Sequence, residues 1–240
     1  MNASPRTTAW SRLPEAARPL IFALVVSSIA TAASWLARDS IVATLVGGVF
    51  LGATWLLVLR RRDADVHAWG LSLGGVLELP AAPWSKTVRE AIVALGWAVL
   101  IAALVFPPFA VGFARWWGVR SLAWAAPTKP LDAVLGQLVV IALPEEAFFR
   151  GYLQSALDRA WPRRLRLFGA DVGLALIVSS AIFALGHLAT VPNAGRLAVF
   201  FPSLVFGWLR ARTGGIGAGL AFHAMCNLLS DGLFRGTGAH

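Results

Sequence analysis

Residues 145–150 bring two adjacent carboxylates and a guanidinium into an apolar stretch of the chain. Glu145, Glu146 and Arg150 belong to the run PEEAFFRG, inside the segment 131–157, which is long enough to cross a bilayer. Charges at membrane depth cost roughly several kcal/mol unless they are paired, hydrated or protonated. Ionisable residues at this place therefore indicate a functional site.

The spacing of the three charges predicts a division of roles on a helix. Glu146 and Arg150 are four positions apart with the acid first, the order that favours an intrahelical ion pair. Glu145 points about 100° further round the helix, so it is free to act as a general base toward water. The residues alone leave open the alternative that all three charges form a structural clamp between helices.

Two of the four histidines fall inside other apolar segments and add polar partners. His187 ends the run FALGH, in which Phe183 lies one turn earlier on the same helical face. His223 begins the run HAMCN, in which Asn227 shares its face. A single histidine in a membrane span more often bridges helices than catalyses a reaction. Two histidines, an amide and a glutamate pair together predict one hydrated pocket built from three helices.

Such a pocket suits the addition of water to an amide bond. Glu145 would take a proton from water with the help of His187, and His223 and Asn227 would stabilise the oxyanion. One well-placed donor of this kind is typically worth about 3 kcal/mol. A zinc ion bound by Glu145, His187 and His223 is the alternative, although the chain lacks the two-histidine helical motif of zinc proteases. We favour the glutamate mechanism with no cofactor.

Composition places the chain among polytopic membrane proteins. Of its 240 residues, 58% are hydrophobic and only 14% are charged, which is too apolar for a soluble domain. The formal net charge of +9 does not indicate nucleic-acid binding, because the basic residues lie in short runs between apolar segments. The single cysteine, Cys226, excludes an intrachain disulfide.

Hydropathy predicts an all-α protein in which about seven transmembrane helices form a bundle around the catalytic cavity. A cytoplasmic lead, residues 1–19, precedes one transmembrane domain, residues 20–240, whose catalytic core is at about 131–234. Residues 63–89 have no sustained apolar run, which predicts a loop with a short interfacial helix around Trp69 and Trp84. The predicted spans are 20–36, 41–59, about 91–111, 131–157, 172–189, about 197–209 and about 216–234.

Basic residues are distributed unequally between the two predicted sides of the membrane. Fourteen of the 21 lysines and arginines lie on the side of the N-terminus. The positive-inside rule therefore places the N-terminus in the cytoplasm and the C-terminus outside. A basic sequence rich in Ala and Trp and poor in Cys favours the inner membrane of a bacterium.

The polar residues together resemble the CPBP family of intramembrane proteases, the CAAX prenyl endopeptidase and bacteriocin-processing group also called ABI. The three motifs of the family, Glu-Glu-x-x-x-Arg, Phe-x-x-x-His and His-x-x-x-Asn, occur here in order as EEAFFR, FALGH and HAMCN. The resemblance covers about residues 131–234. It implies a membrane-embedded helical fold with a cavity open to one leaflet. It also implies proteolysis by water that Glu145 and His187 activate, with His223 and Asn227 at the oxyanion.

The expected partners are the lipid bilayer and a membrane-anchored protein or peptide, cleaved near its membrane-embedded or C-terminal segment. Related bacterial members include the myxosortases, which resemble sorting enzymes that cleave C-terminal anchor segments, and the HAMCN motif is compatible with that subgroup. Two other functions stay open: a proton- or ion-coupled transporter and an idle scaffold of the same fold. A transporter would need polar residues along a path through the membrane, whereas the polar residues of this sequence are predicted to lie near Glu145.

Overall fold

The computed structural model describes residues 14–37, 39–61, 65–73 and 83–238, and seven helices account for most of them. Helix α4, residues 130–160, is continuous but alternates between α-helical and wider π-helical turns. A 3-10 turn, Ala194–Val199, precedes α6. The remaining helices are α1 (Ala17–Leu36), α2 (Asp39–Thr54, extended in π-helical turns through Trp55–Leu59), α3 (Trp84–Trp116), α5 (Leu174–Thr190), α6 (Phe200–Thr213) and α7 (Gly217–Thr237).

Among the described residues, three helices are long and apolar enough to cross a bilayer: Ala17–Leu36, Ile41–Leu59 and Trp84–Trp116. Helix α5 is apolar as well but has only 17 residues. Many large apolar side chains on the outer faces are exposed, as lipid contact requires, including Leu104 at 65%. The prediction of an all-helical membrane bundle is confirmed.

Several predicted boundaries are wrong. Helix α3 begins at Trp84, directly after Pro83, so residues 84–89 form its polar first turns and not a loop. The chain around Trp69 makes a turn and not a helix. Part of the predicted loop, residues 62–64 and 74–82, lies outside the described residues, as do residues 1–13 of the lead.

The connection between α4 and α5 also differs from the prediction. Two short antiparallel strands, β1 (Leu165–Leu167) and β2 (Ala170–Val172), occupy part of it, so α5 begins two residues later than expected. Phe168 and Gly169 make the tight turn with positive φ angles of 46° and 82°. The hairpin is too short for an alternating pattern of apolar residues to reveal it.

Helix α4 is the centre of the bundle. All residues from 144 to 155 are buried, although this stretch carries three charges. Phe50 of α2 packs against Phe148 and Phe149, with ring centroids 5.3 and 5.2 Å apart. Phe183 of α5 contacts Phe149 at 5.1 Å. The part of α4 that carries the first motif is thus surrounded by protein.

Pro144 and the wide turns on both sides of it shape the middle of α4. Proline has no N–H, so the regular hydrogen bond to the Val140 carbonyl cannot form. π-helical turns, at Gly136–Ala142 and Ala147–Gln154, are frequent at functional sites. Helix α2 comes close to this point through Gly47, where an added Cβ would lie 2.5 Å from the Val140 oxygen.

Gly151 allows the loop before α3 to pack on α4, and its replacement is a test of that contact. A Cβ at Gly151 would overlap the side chain of Leu71, which is only 1% exposed and has no room to move. We expect Gly151→Ala to lower the free energy of unfolding by about 1–3 kcal/mol, seen as a lower Tm in detergent. Gly52→Ala, a matched change where an added Cβ meets nothing within 4 Å, should leave Tm unchanged or slightly raised. Equal Tm values for the two variants would contradict the close approach of Leu71.

Candidate active site

A cavity of about 710 Å³ lies between five helices and the 3-10 turn. Helices α1, α2, α4, α5 and α7 all contribute to its wall. Much of the lining is apolar, but α4, α5 and α7 contribute a group of acids, imidazoles and amides. These residues are Gln137, Glu145, His187, His223, Asn227 and Asp231.

Glu145 presents an unpartnered carboxylate oxygen at the cavity. The residue is 9% exposed, and its Oε2 atom lies 3.7 Å from Nε2 of His223. That oxygen is buried and has no hydrogen-bond partner among the described residues. A buried polar atom beside a cavity is a natural binding point for water.

Glu146 lies behind the cavity wall and is fully buried. Its Oε1 atom accepts a hydrogen bond from Nδ1 of His223 at 2.9 Å and lies 3.2 Å from Nη1 of Arg150. The predicted ion pair with Arg150 is therefore present, whereas the contact with His223 was not foreseen. Because a carboxylate only accepts, Nδ1 of His223 carries the proton. The Nε2 atom that faces Glu145 is then a donor only when the ring is an imidazolium.

Arg150 extends the buried network to α6 and into an aromatic shell. Its Nη2 atom donates to Oγ of Ser203 at 2.7 Å and to the Ser203 carbonyl at 3.3 Å. The guanidinium carbon lies 4.4 Å from the ring centre of Phe183 and 5.1 Å from that of Phe206. The charge is thus held by an anion, a hydroxyl and two ring faces in a site without solvent.

His187 has one ring nitrogen fixed and the other free. Its Nδ1 atom lies 3.0 Å from the Phe183 carbonyl, which can only accept, so Nδ1 carries the proton. In the neutral ring, Nε2 therefore keeps its lone pair and can accept a proton. The ring packs against Phe183 at 4.4 Å, and Phe183 also contacts His223 at 5.9 Å. The imidazole further interacts electrostatically with Glu145.

Asn227 is oriented by two residues that the sequence did not single out. Its Nδ2 atom donates to Oε1 of Gln137 at 2.8 Å, and Nε2 of Gln137 donates to Asp231 at 3.4 Å. A signal existed for both: Asp231 is a charge in a predicted span four positions after Asn227, and Gln137 is an amide in an apolar run. One of the two amide N–H groups of Asn227 remains available to a ligand.

The predicted site residues thus separate into two groups. Glu145, His187, His223 and Asn227 line one cavity together with Phe183. Glu146 and Arg150 are buried and do not line it.

The residues of the zinc alternative, Glu145, His187 and His223, line the same cavity. Within the described ranges, no three His, Cys, Asp or Glu side chains are grouped closely enough to hold one metal ion as the structure stands. The Nδ1 atoms of His187 and His223 are hydrogen-bonded, to the Phe183 carbonyl and to Glu146, which leaves both Nε2 atoms for a proton, a ligand or a metal ion.

Comparison with known proteins agrees with the motifs. Residues 127–229 match a family described as Rce1-like, type II CAAX prenyl endopeptidase. The matched region contains all three motifs, from Glu145 to Asn227, and leaves out α1, α2 and α3. Neither comparison with curated proteins nor comparison with solved structures gave a match. The Rce1-like match supports membership of the chain in the CPBP group of CAAX-type intramembrane endopeptidases, which its motifs resemble.

Proposed function

We propose that this protein hydrolyses a peptide bond inside the membrane with water that Glu145 activates. The Rce1-like match supports a CAAX-type intramembrane endopeptidase at the family level. The observation that carries the mechanism is the unpartnered Oε2 atom of Glu145 at the cavity, 3.7 Å from His223. It provides a base with a free lone pair where a water molecule and a substrate can meet.

The reaction begins with a water molecule between Glu145 and His187. Glu145 takes one proton as the water oxygen bonds to the scissile carbonyl carbon, and Nε2 of His187 accepts a hydrogen bond that orients the water. The carbonyl oxygen becomes an oxyanion. When the C–N bond then breaks, the protonated Glu145 returns its proton to the leaving amine. Atoms and charges balance without a metal or another cofactor.

The oxyanion receives hydrogen bonds from the other wall of the cavity. Asn227 supplies the amide N–H that Gln137 does not use. His223 supplies Nε2–H when its ring is an imidazolium, with Glu146 bonded to Nδ1 on the opposite edge. Glu146 and Arg150 are positioning residues in this scheme, because they contact the ring and the frame but not the substrate.

We further propose that this protein lies in the inner membrane of a bacterium. Its substrate would be a membrane-anchored protein that is cleaved near its C-terminal segment, as the myxosortase-like HAMCN motif suggests. Three long apolar helices support the membrane location. The excess of basic residues on one side supports a cytoplasmic N-terminus and an external C-terminus.

Replacement of the proposed base tests the mechanism directly. Glu145→Gln keeps the shape of the side chain and removes its basicity, so turnover of quenched fluorescent single-span peptides in detergent should fall by about 10²–10⁴-fold with unchanged Tm. Glu90→Gln, a glutamate outside the cavity, is the matched control. Wild-type cleavage should resist chelators. Cleavage that survives Glu145→Gln would remove the proposed base, and chelator sensitivity that zinc reverses would favour the zinc mechanism.

Arg150 should matter for stability more than for chemistry. Arg150→Ala leaves the buried Glu146 without its cation, a loss that typically costs about 3–5 kcal/mol. We expect a much lower Tm and a lower yield of folded protein in detergent. Arg164→Ala removes an exposed arginine and should change neither quantity. If Glu145→Gln destabilised the protein as much as Arg150→Ala, the cluster would be a structural clamp.

Gln137 should act on catalysis through Asn227. Without its acceptor oxygen the Asn227 amide is free to turn, so Gln137→Leu should lower kcat by about tenfold with little change in KM. In the double variant with Asn227→Ala, the Gln137 change should have no additional effect, because its target is already absent. Additive losses in this cycle would show that Gln137 acts independently of Asn227.

A further inference from the structure

The cavity lies in one half of the bundle. Most of its lining residues come from the second halves of α1, α5 and α7 and from the first halves of α2 and α4, while His223, Phe50 and Phe149 lie near the middle of their helices. Because α1 and α2 run in opposite directions, as do α4 and α5, these halves lie at the same end. The proposed topology places this end outside the cytoplasm.

Arg196 is the one arginine or lysine among the described lining residues. It follows α5 in the 3-10 turn, which Asn193 holds: Oδ1 of Asn193 accepts from Gly195 N–H at 2.8 Å, and its carbonyl accepts from Arg196 N–H at 2.9 Å. The Arg196 side chain is exposed and makes no hydrogen bond or ion pair with any described group. Arg196 is therefore an exposed cation in the cavity wall with no ion-pair partner among the described residues.

The carboxylates of the cavity lie elsewhere on its wall. Glu145 and Asp231 both line it, on α4 and α7. An anionic group that enters would be repelled by these two residues and attracted by Arg196. The cavity wall therefore offers a place that accepts an anion at Arg196, apart from the reacting group at Glu145.

We propose that Arg196 binds the free C-terminal carboxylate of the peptide substrate. The inference rests on the proposed endopeptidase function and deepens it. A guanidinium matches a carboxylate because two parallel N–H groups can donate to its two oxygens. Binding there fixes the polarity of the peptide, with its C-terminus at Arg196 and its scissile bond at Glu145. The residue sets specificity and does not touch the reacting atoms.

Further polar side chains, on α1 and α5, line the cavity. Along α5, His187 is followed one turn later by Thr190 and then by the turn that carries Arg196. Ser27, Thr31 and Ser34 share one face of α1 and line the same cavity. Helix α1 is joined to the end of α5, because Nε1 of Trp35 donates to the Thr190 carbonyl at 3.1 Å. These hydroxyl oxygens can accept hydrogen bonds from an extended peptide, whose N–H groups need partners away from water.

A lipid phosphate is the other source of an anion at this depth, and the test separates the two. Single-span reporter peptides of one sequence are made with a free C-terminal carboxylate or with a C-terminal amide. Both are assayed in nanodiscs of zwitterionic lipid and in nanodiscs that also contain anionic lipid. Binding of the same labelled peptides to the Glu145→Gln protein gives a second readout that needs no turnover.

We expect the wild-type protein to prefer the carboxylate form by about tenfold in KM and in binding. Arg196→Gln should abolish that preference, Arg196→Lys should retain part of it, and Arg164→Gln should keep all of it. Equal KM values and equal binding of the two peptides by the wild-type protein would overturn the proposal. An Arg196→Gln effect that is equal for both peptides and depends on anionic lipid would assign the residue to headgroup binding. Loss of cleavage with retained discrimination in binding would contradict the proposed function alone.

Discussion

The sharing of the Glu146 carboxylate between Arg150 and His223 is the constraint on which the site depends. One oxygen lies 3.2 Å from the guanidinium and 2.9 Å from the imidazole. Arg150 continues the network to Ser203 at 2.7 Å, so α4, α6 and α7 are fixed by one buried charge pair. A carboxylate removed from water tolerates few arrangements, because each lost partner leaves an uncompensated charge. The position of His223 follows from this requirement.

The surrounding packing keeps that network dry and close. The rings of Phe206 and His223 stack at 4.5 Å with an angle of 13° between their planes. An added Cβ at Gly219 would lie 3.2 Å from Oε2 of Glu146, so a glycine at this place lets α7 come near the buried carboxylate. In a low dielectric the same charges interact more strongly than in water. Aromatic burial and close helix contact thus hold the side chains of Glu146, Arg150 and His223 in one fixed arrangement.

Local spacing in the sequence predicted the parts of the site that lie on one helix. The i,i+4 pairs, Glu146 with Arg150 and Phe183 with His187, are visible as spacing alone and are in contact in the structure. Partners from distant helices were not predictable in this way. Ser203 lies 53 positions after Arg150, and Gln137 lies 90 positions before Asn227. Nothing in the periodicity of either segment records such a pairing.

Prediction of the fold from local sequence has the same limit. Hydropathy located the helices because lipid and protein core both select apolar residues. It misplaced the start of α3, because the first turns of that helix are polar and have the composition of a loop. It also could not show that α4 alternates between α- and π-helical turns around Pro144. Those wide turns depend on how α2 and α5 pack against α4, which is a property of the assembled bundle.

The distribution of polar residues along the bundle favours the proposed proteolysis over transport. The proton-exchanging side chains lie in the half of the bundle that holds the cavity. Beyond Glu145, the described residues of α4 are buried through Ser155, and Asp158 is bound to Arg210 at 3.0 Å near the opposite end. This arrangement suits a substrate that enters and leaves on one side. Helices α1 and α2, outside the Rce1-like match, form part of the cavity wall. The residues proposed to react therefore all belong to the matched region, while the two N-terminal helices help to shape the space that a substrate can occupy.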